Sequence, residues 1–214
     1  MINVHVFTFN PFSENSYVLS DETGECVIID PGCFGRDEQQ ELKSFIEEQQ
    51  LKPVRLLNTH CHIDHVFGND FVSRTWNLGL EMNEKDMPVL QSFGQVCRMY
   101  GVAPVESQPE PARFLNEGDE LAFGKSKLAV FLTPGHSPGS VSFYSAADKI
   151  LISGDVLFQR SIGRTDLPGG NFETLISSIR EKIFVLPGDT VVYSGHGPST
   201  TVAEEKQENP FLKQ

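Results

Sequence analysis

Thr59-His60-Cys61-His62-Ile63-Asp64-His65 places four metal-competent side chains within six residues, and its reading decides how the rest of the chain is understood. Imidazole nitrogen and carboxylate oxygen suit zinc and also iron or manganese, so donor type narrows the metal without fixing it. A closed structural zinc site is ordinarily built on cysteine thiolates. Here the one cysteine in the run, Cys61, lies out of pattern between two histidines and reads as a spacer. The aspartate inside the run likewise argues against a purely structural site.

Working outward, a strand expected over residues 54–57 ends just before Thr59-His60. The same arrangement recurs three times. His136 lies in Thr133-Pro134-Gly135-His136-Ser137 after a strand at 128–132, Gly154-Asp155 follows a strand at 150–152, and His196 lies in Ser194-Gly195-His196-Gly197 after a strand at 190–193. Candidate ligands thus follow apolar strands, where loops held by a rigid scaffold carry chemistry. His5 is the exception: it sits inside an alternating strand over 4–9 with no neighbouring ligand type, as a surface or packing histidine.

The remaining pattern is β-rich at the start, with a hairpin partner at 15–20 and a buried strand at 26–30 stopped by Pro31-Gly32. Residues 37–50 place Leu42, Phe45 and Ile46 on one face of an amphipathic helix, and a second helix is expected over 172–183. Between the halves, 84–111 is broken by Pro88, Gly94, Gly101, Pro104, Pro109 and Pro111 and reads as helix and loop over the site. No composition shift marks a boundary, so residues 1–214 are expected to form a single domain.

A chain of 214 residues can bury a full core. Its 17 basic against 29 acidic residues give a net charge of −12, which repels phosphate backbones and anionic membrane surfaces, so neither nucleic acid nor a membrane is expected as a partner. Neither a signal-peptide pattern nor an apolar run of spanning length is present, and a cytoplasmic protein is expected. Cys26, Cys33, Cys61 and Cys97 show no CxxC spacing and read as free thiols.

The HxHxDH cluster, the later Gly-His, the Gly-Asp after an apolar strand and the final Gly-His occur in an order that resembles the metallo-β-lactamase superfamily, from about residue 4 to residue 200. The resemblance implies an α+β fold, an αββα sandwich of two mixed β-sheets flanked by helices with a metal site at one edge. It further implies two divalent metal ions, zinc first with iron or manganese as alternatives. His60, His62 and His136 would bind one, Asp64, His65 and His196 the other, and Asp155 both. True β-lactamases of the family typically lack a histidine matching His65 or carry cysteine in place of Asp155, which disfavours antibiotic hydrolysis.

Within the superfamily the chain is most similar to a short form of the glyoxalase II-like (hydroxyacylglutathione hydrolase-like) group, through Gly163-Arg164-Thr165-Asp166-Leu167-Pro168-Gly169-Gly170 and Glu208-Asn209-Pro210-Phe211-Leu212. The implied substrate is a small-molecule thioester such as S-D-lactoylglutathione, attacked by a metal-bridging hydroxide that Asp64 and Asp155 orient. Full-length members carry an extra C-terminal helical region with basic residues for glutathione, whereas here 18 residues follow His196. The alternatives are a mononuclear iron persulfide dioxygenase, with ligands matching His60, His136 and Asp155, and a metal-binding protein without turnover. Arg160 or Arg164 can meet a substrate carboxylate at the rim, although a turn with Arg164 tied to Asp166 is slightly favoured. Glu204-Glu205-Lys206 reads as a solvated helix face and Asn209-Pro210-Phe211 as a chain end pinned by Phe211, with Lys206 and Lys213 as weak candidates for binding carboxylates.

Overall fold

The computed structural model describes residues 1–102 and 107–213. The chain divides into two compact units, Met1–Leu115 with Ala122–Ser126, and Asn116–Leu121 with Lys127–Gln214.

The first unit opens as an antiparallel meander of β1 (Asn3–Phe9), β2 (Glu14–Ser20) and β3 (Glu25–Ile29), with Phe7 opposite Ser16 and Val18 opposite Ile28. Helix α1 (Gly35–Glu48) then crosses to β4 (Lys52–Leu57), which runs parallel to β3. After α2 (Ile63–Val66) and α3 (Asn69–Trp76), the chain adds β5 (Leu80–Met82). A 3-10 turn, α4 (Met87–Gln91) and α5 (Phe93–Met99) lead to β6 (Pro111–Phe114), completing a sheet of order β1-β2-β3-β4-β5-β6. The central strand β3 is apolar on both faces, and Val27, Ile28 and Ile29 are fully buried, as expected for a strand covered from both sides. Leu42 and Ile46, one helical turn apart on α1, bury the same stripe and contribute roughly 1.5–3 kcal/mol each by leaving water. His5 is exposed on β1 and stacks its ring on Phe45 with centroids 3.9 Å apart, a surface histidine packed against α1.

The second unit carries most of another six-stranded sheet. Its strands are β7 (Glu120–Phe123), β8 (Ser126–Leu132), β9 (Val141–Ser145), β10 (Ile150–Gly154), β13 (Val191–Ser194) and β14 (Thr200–Thr201), in the order β14-β13-β10-β9-β8-β7. A hairpin of β11 (Leu157–Phe158) and β12 (Ser161–Ile162) follows β10. Helix α6 (Phe172–Ser178) runs on into a π-helical turn at Ile179–Ile183, and α7 (Val202–Glu208) begins with a capping box between Thr201 and Glu204. Both sheets are mixed and accompanied by helices, the expected α+β class. Among the described residues no helix is long and apolar enough to cross a membrane.

Strand polarity matters for the chemistry. β8 and β10 each pair antiparallel with β9, and β10 pairs parallel with β13, so β8, β10 and β13 all end on the same edge of their sheet. In the first unit the parallel pair β3 and β4 likewise ends on one edge. Ligand sites in such sheets form at the carboxyl ends of the strands.

Two readings of the chain's end are corrected. Phe211 is 50% exposed, and the neighbouring Leu212, 6% exposed, is the side chain packed into the core with Ile183 and Val202. Glu205 is 1% exposed rather than solvated, because it lies three residues after Val202 on the inward face of α7. There it accepts hydrogen bonds from Thr200 Oγ1 (2.6 Å), Asn209 Nδ2 (2.7 Å) and Arg160 N (2.9 Å). Within the segment 84–111, helices form over 84–99, while the expected break at Pro104 lies outside the described residues.

Candidate metal centre

In the first unit the ligand-bearing run begins where β4 stops. His60 follows the strand, His62 precedes the first turn of α2, and Asp64 and His65 project from that turn. His60 and His62 lie in the link between β4 and α2, and Asp64 and His65 in the turn that follows, so the short segment gathers its donors at one strand end. The His60 ring lies 4.8 Å from that of His62 and 4.1 Å from that of His65, centroid to centroid. Cys61 points elsewhere: its Sγ rests 3.6 Å from Met82 Sδ, its backbone N–H donates to Asp86 (2.8 Å), and burial pushes its thiol well above the ordinary value. The spacer reading therefore holds, and all four cysteines are free and buried.

Sequence reasoning passed over Asp30. It stands at the end of β3, where its N–H donates to Leu57 O (2.9 Å) beside the end of β4, and its φ of 48° turns the chain sharply into Pro31-Gly32. Its carboxylate accepts from Thr59 N (2.7 Å), Thr59 Oγ1 (2.5 Å) and Asn58 Nδ2 (3.3 Å), and faces His65 Nδ1 at 3.1 Å. A carboxylate accepting the Nδ1–H leaves the Nε2 lone pair of His65 available to a metal. That nitrogen lies 3.8 Å from Asp64 Oδ2. Donor atoms of Asp30, His60 and His65 all fall within 4.8 Å of one another. The signal that was available is the recurring one, a chemically active residue directly after an apolar strand.

In the second unit three candidate ligands meet although 19 and 41 residues separate them in sequence. The turn after β8 passes through Gly135 at φ +134°, where any side chain would collide with Leu175. It delivers His136, 2% exposed, whose Nδ1 donates to Arg164 O (2.8 Å). That bond turns Nε2 toward Asp155, which follows β10, at 3.5 Å from Oδ2; His196, after β13, presents its Nε2 at 3.6 Å from the same oxygen. These distances are long for N–H···O hydrogen bonds. They match the roughly 3.4 Å edge of a tetrahedron whose donors sit about 2.1 Å from a central ion. The donor set is all nitrogen and oxygen, so both clusters fit divalent metals. Gly163 completes the wall, since a Cβ there would collide with the Asp155 carbonyl oxygen.

The rim arginines are committed within the chain. Arg164 makes a bidentate pair with Asp166, Nε and Nη2 each at 2.7 Å, and this hydrogen bonding lowers the Asp166 carboxyl to about 2. Arg160 pairs with Glu208, and Lys206 lies 5.8 Å from the centre of the Phe184 ring.

Residues 9–196 match the metallo-beta-lactamase superfamily. A probable metallo-hydrolase of Bacillus subtilis, YqgX, is 44% identical, covering 94% of this chain and 93% of its own. The hydroxyacylglutathione hydrolase GloC of Haemophilus influenzae is 36% identical, covering 99% and 98%. Among solved structures, the BLEG-1 B3 metallo-beta-lactamase is 39% identical with a TM-score of 0.91, covering 99% of this chain and all of that one. TTHA1623 in a di-iron-bound form is 36% identical with a TM-score of 0.87, covering 97% of this chain and 100% of that one. ETHE1 from Myxococcus xanthus is 26% identical with a TM-score of 0.77, covering 97% and 83%.

Proposed function

The chain belongs to the metallo-beta-lactamase superfamily and to its metallo-hydrolases, and from that premise we propose that it hydrolyses a small-molecule thioester such as S-D-lactoylglutathione. The observation that carries the metal-dependent part is the pair of histidine nitrogens, His136 Nε2 and His196 Nε2, converging on one Asp155 oxygen at coordination-type distances. The thioester part rests on the hydroxyacylglutathione hydrolase of Haemophilus influenzae, alike over nearly its full length. In this reading residues 1–214 act as one catalytic domain. His60, His62 and His136 hold one divalent ion, Asp64, His65 and His196 a second, and Asp155 serves both. Zinc is the proposed ion, with iron as its main competitor because a similar protein has been solved in a di-iron-bound form.

Bound at such a site, divalent ions bring the pKa of water toward neutrality and polarise an acyl carbonyl. The chain supplies the rest. Asp64 and Asp155 accept hydrogen bonds from the attacking water and aim its lone pair at the acyl carbon. Asp30 and the Arg164 carbonyl fix the rings of His65 and His136. Water adds to the acyl carbon, the C–S bond breaks, the thiol sulfur takes up one of the water's protons, and a carboxylic acid and a thiol leave.

A second reading, a dioxygenase with one iron on His60, His136 and Asp155 acting on a persulfide, draws support from the ETHE1 neighbour. The B3 metallo-beta-lactamase neighbour at 39% identity stands against the expectation that β-lactams are poor substrates. The test is thiol release from S-D-lactoylglutathione by zinc-loaded protein, with metal-stripped protein as the blank. Metal-dependent release is the expected result. Inert behaviour toward the thioester, with oxygen uptake on glutathione persulfide by iron-loaded protein, would replace the proposal by the dioxygenase, and turnover of a chromogenic cephalosporin alone would replace it by a lactamase.

A further inference from the structure

We infer that Glu14 is a positioning residue for His65 and thereby sets how tightly the chain holds the ion assigned to Asp64, His65 and His196; this rests on the metal-dependent reading above. Glu14 opens β2 and is fully buried. One of its oxygens, Oε2, accepts from Ser16 Oγ (2.8 Å), and Ser16 Oγ in turn accepts from Gly32 N (2.8 Å). Gly32 leaves the space this arrangement needs, since a Cβ there would collide with Glu14 Oε2 and lie 2.5 Å from Asp64 O. The other oxygen, Oε1, is buried with no hydrogen-bond donor among the described residues, and stands 3.7 Å from His65 Nδ1.

Burying a carboxyl oxygen without a donor is costly. If Glu14 served only to tether Ser16, one oxygen would suffice and the second would gain nothing from its position. The second oxygen instead backs the imidazole edge that Asp30 already engages at 3.1 Å. Two carboxyls on one side of the ring restrain its rotation and hold the proton on Nδ1, which keeps Nε2 as the donor to metal. Burial pushes the Glu14 carboxyl well up from its ordinary range, while His65 draws it back down.

The experiment compares Glu14→Gln with the parent full-length protein, titrating the metal-stripped forms with zinc against a chromophoric chelator and recording the thermal midpoint of each stripped form. Gln fills the same volume and can still bond Ser16, so the stripped variant should melt at or above the parent while one of two ions binds about 10- to 100-fold more weakly. Equal zinc affinity at both sites would overturn the inference, as would a lower melting point with unchanged zinc binding, which marks a purely structural role. Ser16→Ala supplies a second route if Glu14→Gln does not fold: freeing the Glu14 carboxyl should weaken the same ion, and unchanged binding overturns the inference. A parent protein that takes up no zinc, iron or manganese would instead sink the metal-dependent reading.

Discussion

The two units assemble their ligands by different routes. In the first, four donors lie in a single run and a strand end followed by one helical turn is enough to cluster them, with Asp30 arriving from the neighbouring parallel strand to lock His65. In the second, His136, Asp155 and His196 come from three separate strand ends, and only the polarity of β8, β10 and β13 brings them to one edge. The first arrangement draws its donors from one local run, which Asp30 and Glu14 back from neighbouring strands. The second depends on sheet register and on close packing behind each ligand, of the kind seen where Gly163 meets the Asp155 backbone.

That contrast can be broken at its strongest point by Asp155→Ala. The second unit should lose the oxygen on which both histidines converge, so bound metal, counted by elemental analysis, should fall from two ions per chain and thioester hydrolysis should drop to the metal-free background. Unchanged stoichiometry and turnover would remove Asp155 from the site. A smaller effect is expected from Gly163→Ala, which leaves every ligand in place but forces the Asp155 carbonyl to move. Overpacking of this kind costs about 1–3 kcal/mol, readable as a lower melting temperature, and should reduce metal affinity as well. Normal metal affinity in that variant would show that close packing behind Asp155 does not set how the second unit holds its ion. The smallest effect belongs to Cys61→Ala, inside the local run. Its side chain faces Met82, so the variant should lose about 1–2 kcal/mol of stability in denaturant titration while keeping its full metal content. Loss of an ion there would make Cys61 a ligand and overturn the division between spacer and donor.

How much could be read beforehand follows the same divide. The strands that deliver His60, His136, Asp155 and His196 were legible because apolar runs closed by turn-forming Gly, Pro, Asn or Ser carry their own signal. The short α2, α3 and β5 between residues 63 and 82 were not assigned, since elements of three to eight residues hold too few turns or alternations to show a period. Asp30 escaped because a lone acid after a strand is ambiguous until its partners are known. Glu205 and Phe211 were misplaced for a related reason: near a chain end, which of two adjacent side chains turns inward depends on the elements it packs against, here the core that takes Leu212.

By itself the amino-acid sequence determined the donor types, the strand-end pattern and the family likeness, because these are written in residue identity and short-range order. The tertiary structure alone decided which nitrogen of His65 and of His136 is turned away from its hydrogen-bond partner, and that Asp30 and Glu14 stand behind one of those rings. Those are facts of orientation at ångström scale. They arise from the register between strands distant in sequence, which no local stretch of the chain specifies.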